Sequence, residues 1–133
     1  MSGEKNLEKL LKEMKPLLNP GDFVFTTIKN LDAINRADTI CEFKEAEGVT
    51  VVIEKNKADM LNLRYVCVVS WITLRVHSSL EAVGLTAKFS AALTLHDISC
   101  NVIAGYYHDH IFVDKKDAKK AVRVLTNLSK KYQ

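Results

Sequence analysis

The chain has 133 residues, 47% hydrophobic and 26% charged, a globular balance that argues against a disordered or fibrous protein. The formal net charge of +3 is only mildly basic, and Cys41, Cys67 and Cys100 form no CxxC or Cys/His ligand pair, so neither a disulfide framework nor a zinc site is expected. A polar start (Ser2, Gly3, Glu4, Lys5) and the lack of an apolar run near the roughly 20 residues that span a bilayer predict a cytoplasmic protein with no signal peptide, no membrane segment and reduced, mostly buried thiols. The length suits one ordinary domain, or two very small modules sharing a core.

Leu7, Leu10, Leu11, Met14 and Leu18 recur at helical spacing opposite Glu4, Glu8, Lys9, Lys12 and Lys15, which predicts an amphipathic N-terminal helix ending near Lys15, because Pro16 follows. Asn19, Pro20, Gly21 and Asp22 then make a turn by composition, and 23–28 is an aromatic and β-branched strand. Residues 29–38 are weakly patterned and read as a loop. Strands over 39–45 and 49–54 flank Ala46, Glu47 and Gly48 as a hairpin. A short helical turn over 57–63 precedes the longest β-like run, 64–76. Both faces of that run are apolar, so it is expected to be central, with a bend near Ser70 if it serves two sheets. After a polar turn at His77, Ser78 and Ser79, the bend from Val83 to Thr86 opens a helix to about His96. Strands over 100–106 and 110–113 pair across Tyr107, His108 and Asp109. Asp114 caps a last helix whose buried stripe is Ala118, Ala121, Val122, Leu125, Leu128 and Tyr132.

Three stretches carry a family resemblance: residues 14–16 leading to Asn19 through Phe25; Val83, Gly84, Leu85, Thr86, Ala87, Lys88 and Phe89; and Tyr106 through Val113 followed by a Lys-rich helix. In this order the chain resembles the ACT domain, the βαββαβ regulatory module of amino-acid metabolism, and in particular the small stand-alone proteins with two tandem modules. The resemblance implies an α+β, ferredoxin-like sandwich: antiparallel sheet with helices on one face, and an N-terminal helix besides. The expected division is 1–18 for that helix, 19–65 for an incomplete first module and 66–133 for the second. The first half has no helix between its first two strands, and the second has no strand after its final helix. Strand sharing between modules is therefore expected.

ACT-like relatives bind an amino acid at the turn between first strand and first helix, which the resemblance carries to Val83, Gly84, Leu85 and Thr86. The residues agree with it. N–H groups at a helix start suit an α-carboxylate, while Asp109 or a strand carbonyl near Val102 would accept from the α-ammonium. The plainer alternative makes Gly84 a turn residue and Thr86 a helix cap. His108 and His110 lack a third ligand and read as a water-exposed pair at a hairpin tip, so no metal is expected. His77 reads as a loop residue and His96 as a helix C-terminal one. Nothing matches G-x-S-x-G, a P-loop or G-x-G-x-x-G, and Cys100 beside His96 or His108 is more simply a strand thiol than a nucleophile. The expectation is a non-enzymatic, cofactor-free regulatory protein that binds an amino acid or similar metabolite at a module or subunit interface, as a homo-oligomer (dimer or tetramer). The alternative is a ligand-free association module. Lysines crowd the last helix without interleaved aromatics, so a solvated face is preferred to nucleic-acid binding.

Overall fold

The computed structural model describes residues 6–76 and 83–133, so the turn at His77, Ser78 and Ser79 and the residues before Asn6 lie outside the described residues. The chain divides into two compact units, one formed by Met1–Asn19 with Ser70–Gln133 and the other by Pro20–Val69. The architecture is mixed helix and antiparallel sheet, as a tandem ferredoxin-like protein requires.

In the discontinuous unit, helix α1 (Leu7–Glu13) begins at Asn6, whose side chain accepts from the Lys9 N–H and satisfies one of the unpaired donors of the first turn. The helix stops at Glu13 rather than near Lys15. The chain then runs as β1 (Lys15–Leu18), antiparallel to β5 (Val69–Arg75), with Lys15 opposite Arg75 and Leu18 opposite Ile72. The residue before a proline avoids helical angles, and Pro16 is tolerated in a strand that pairs on one side only. Leu18 therefore belongs to this strand and not to the helix stripe. The strand order is β1-β5-β7-β6, where β6 is Cys100–Ala104 and β7 is Asp109–Asp114. Counting β5, β6 and β7 as first, second and third, β1 holds the fourth strand's place. The strand missing after the last helix is supplied by the start of the chain.

One face of this sheet carries Ile72, Leu74, Val76, Ile111 and Val113. Packed on it are Leu10 and Leu11 of α1, Phe89 and Leu93 of α3 (Leu85–Leu95), and Ala121, Leu125 and Leu128 of α4 (Ala118–Lys130). Burying each Leu- or Phe-sized side chain contributes about 1.5–3 kcal/mol. Polar bonds fix how the helices lie. Ser129 Oγ donates to the Lys12 carbonyl at 2.9 Å, serving an acceptor that the end of α1 leaves open, and Lys120 Nζ donates to the His96 carbonyl at 2.8 Å just past α3. Asp114 accepts from the Lys116 N–H and starts a 3-10 turn, Lys115–Asp117, which leads into α4 instead of being its cap directly.

In the contiguous unit, β3 (Thr39–Lys44), β4 (Val49–Glu54) and β2 (Phe23–Ile28) lie in that order. Val24, Ile28, Val49, Val51 and Ile53 form a core with Ile34 and with Ala58 of α2 (Lys55–Met60). Residues 29–38 are two 3-10 turns capped by the side chains of Asn30 and Asn35, and Ile34 between them does the covering that a helix does in the other unit. The long strand expected over 64–76 is shorter. Leu63 to Val68 has no strand geometry, and only Val69 meets β2, opposite Phe23. Alternating β-branched residues make a strand only where a neighbour accepts their hydrogen bonds. The thiols are not mostly buried: Cys67 is exposed, and Cys41 and Cys100 are half-buried, with burial pushing both of the latter above the usual thiol range.

Candidate functional site

Helix α3 starts at Gly84, which has φ +96°, in the left-handed region, and offers no side-chain cap. A Cβ there would lie 3.2 Å from Leu7 Cδ2 as well as being strained, so Gly84 allows α1 to pack close. A ligand would meet this turn along its amides instead. The first helical bond runs from the Lys88 N–H to the Gly84 carbonyl at 3.0 Å, so the N–H groups of residues 85–87 have no acceptor within the helix. Leu85 is buried and offers backbone only, while Val83 and Thr86 are exposed.

Val102 and Asp109 sit on paired strands, Val102 opposite Ile111 and Ala104 opposite Asp109. Side chains alternate along a strand, so Val102, Asp109, Ile111 and Val113 share the face on which α3 and α4 pack. Val102 is on β6, the last strand of the sheet. Asp109 is half-buried and, among the described residues, has no hydrogen-bond or ion-pair partner. Burial pushes its carboxyl above the usual carboxylate range, with His108 pulling the other way. The residues singled out from sequence thus fall on one unit, in two groups: the turn before α3, and two strand positions on the face beneath the helices.

The opposite face holds a cluster that sequence reasoning missed. His110 and its neighbour His108 are half-buried, not a water-exposed pair, because β7 turns His110 onto the side shared with Trp71 and Phe112. Trp71 Nε1 donates to His110 Nδ1 at 3.0 Å, and Thr73 Oγ1 lies 3.1 Å from the same nitrogen. Asn19 Nδ2 donates to the Thr73 hydroxyl at 2.9 Å. An indole N–H only donates, so His110 Nδ1 must be a bare acceptor and the ring neutral, with its proton on Nε2. The clue available in sequence was the alternation of His110 and Phe112 with the apolar Ile111 and Val113. Among the described residues no group of three His, Cys, Asp or Glu side chains is placed to hold a metal.

Burial, and then His108, lower the His110 pKa below 6.5. A histidine with a depressed folded pKa contributes stability that is present above 6.5 and is lost as pH falls through the folded value. Trp71 is the single tryptophan, so its fluorescence reports the event. The emission should titrate with a midpoint below pH 6.5 and stop titrating in His110→Phe. A midpoint above 6.5, or an unchanged titration in the variant, contradicts the bonding described.

Two family models described as ACT domain match the sequence, one over residues 2–70 and the other over 67–127. None of the curated proteins matches. Among solved structures, a protein of unknown function from Vibrio cholerae, described as a possible transport protein, is 48% identical, with a TM-score of 0.85 over 94% of this chain and 97% of that one. The regulatory subunit of aspartate kinase from Thermus thermophilus, in ligand-free form, shares the fold at 9% identity, with a TM-score of 0.64 over 85% of this chain and 95% of that one. E. coli aspartokinase III in complex with aspartate and ADP does so at 12% identity and a TM-score of 0.59, over 85% of this chain and 32% of that one.

Proposed function

The chain belongs to the ACT-domain family, and from that premise we propose that it is a non-catalytic regulatory protein that binds an amino acid or a similar metabolite. The ligand's carboxylate lies on the amides at the start of α3, bounded by Val83, Gly84, Leu85 and Thr86. Its ammonium is held by Asp109, with the Val102 carbonyl beside it. One observation supports this above the others: Asp109 is a half-buried carboxylate kept without a partner among the described residues. Such a group costs stability unless a cation arrives to meet it. That a neighbour sharing the fold is the regulatory subunit of an aspartate kinase supports a sensor over an enzyme. Binding to the folded state alone shifts populations toward the liganded packing, which a partner in the cytoplasm reads.

The test is a thermal screen of the twenty amino acids at millimolar concentration. A ligand present at 100 times its Kd stabilises by about 2.7 kcal/mol, so the cognate amino acid should raise Tm by several degrees. If none of the twenty does so, the reading fails. A second reading, association without a ligand, draws on Leu17 and Leu18, which are 40% and 38% exposed on β1. A dimer or tetramer in light scattering that ignores every amino acid favours it.

A further inference from the structure

The two units place their strands by the same plan, and one place is filled differently. In the discontinuous unit, β1 lies along β5 over four residue pairs. In the contiguous unit, β2 pairs with β4 along its whole length, but on its other side has a single pair, Phe23 with Val69. Past that pair the chain from Leu63 to Val68 runs beside β2 without strand geometry. It is held by the Thr26 hydroxyl, which donates to the Arg64 carbonyl at 2.6 Å, and by the Tyr65 hydroxyl, which donates to Asp59 at 2.7 Å. What remains is a cleft of about 620 Å³.

The lining is mostly apolar with one cation at its edge. Phe25 and Thr27 of β2 and Thr50 of β4 form one side, and Arg64, Tyr65 and Val66 the other. Val66 is 101% exposed, an aliphatic side chain with no packing of its own. The Arg64 guanidinium has no ion pair or hydrogen bond among the described residues. Elsewhere in the same unit Arg36 is paired with Glu42 at 2.7 Å and Lys55 with Asp59 at 2.8 Å. A cleft of this volume, apolar with one well-placed charge, has the make-up of a small-molecule site. A guanidinium takes a carboxylate through two parallel hydrogen bonds.

We infer that this cleft binds a small amphipathic carboxylate, its apolar body between Phe25 and Val66 and its carboxylate on Arg64. The site uses no residue of the turn before α3 and not Asp109, so it stands or falls separately from the amino-acid site.

Titration calorimetry with octanoate, and with 1-octanol as the uncharged comparator, tests it on the full chain. Octanoate should bind the wild type with one saturable site at sub-millimolar Kd. Arg64→Gln should weaken octanoate at least tenfold and leave octanol unchanged, whereas Val66→Asp should weaken both. Arg64 and Val66 are exposed side chains, so both variants should keep the wild-type Tm, which is checked alongside. No saturable octanoate binding by the wild type, or equal octanoate affinity in wild type and Arg64→Gln, overturns the assignment. Octanoate affinity unchanged in Asp109→Asn is also expected, and its loss there would place the carboxylate in the other unit and overturn it as well.

Discussion

Asp109→Asn should raise the melting temperature of the free protein at neutral pH and reduce the further rise produced by an amino-acid ligand. Burial raises the Asp109 pKa above the ordinary 3.8. A group with a raised folded pKa contributes stability in full below its unfolded value, and that contribution is lost as pH rises through the folded value. At neutral pH the folded state therefore carries a charge that it holds at a cost. Asparagine keeps the shape and drops the charge. The gain in Tm should be largest near neutrality and should vanish at acid pH, where Asp109 is itself protonated. Binding should move in the opposite direction. A neutral amide is a weaker acceptor for an ammonium than a carboxylate, and losing a charge-assisted hydrogen bond weakens affinity by roughly 10-fold or more. Scanning calorimetry from pH 4 to 8, with and without ligand, reads both effects. An Asn variant less stable than wild type at pH 7 would mean that the carboxylate stabilises the fold, and the ammonium site would have to be sought elsewhere.

Leu11→Ala should cost about 2–5 kcal/mol in urea unfolding, the range for emptying a fully buried leucine site. Leu11 is 0% exposed and belongs to the same cluster as Phe89, Ile111 and Leu125, although about 80 to 115 residues separate it from them in the chain. Lys12→Ala, one position along on the exposed side of α1, should change stability by less than about 0.5 kcal/mol. If α1 were an appendage, the two variants would behave alike. A Leu11→Ala cost under about 1 kcal/mol would show that the N-terminal helix is not part of the core it lies in.

Much of the fold was legible because local pattern sets it. The strand over 23–28 and the helix opening after Gly84 carry side-chain periods that match their burial, while the hairpin of 39–45 with 49–54 was marked by its turn at Ala46, Glu47 and Gly48. The errors have a common cause in pairing partners that local sequence does not contain. Lys15 to Leu18 is a strand because Ile72 to Arg75 lies beside it, and four residues including a proline give no sign of that. Val66 and Cys67 sit in a β-like run, yet β2 meets the segment only at Val69, so both are left in solvent. Of the residues proposed as a site, only the helix-opening turn at Gly84 was legible in the sequence, Asp109 being expected in the hairpin turn and not at the start of β7. Leu7 lying against Gly84 was not, since it depends on where α1 docks. The bonding of His110 to Trp71 depends likewise on which strands are neighbours.

The discontinuous unit has a consequence for how the protein is made. Residues 7–18 leave the ribosome before the contiguous unit, whereas the sheet and helices they dock on follow it. The contiguous unit has all its residues available midway through translation, whereas Leu10, Leu11 and Met14 must wait uncovered until α4 has emerged. A nascent chain stalled near Val69 should therefore expose a sticky leading segment ahead of a folded middle. Only the emergence of α4 closes the discontinuous unit around residues 7–18.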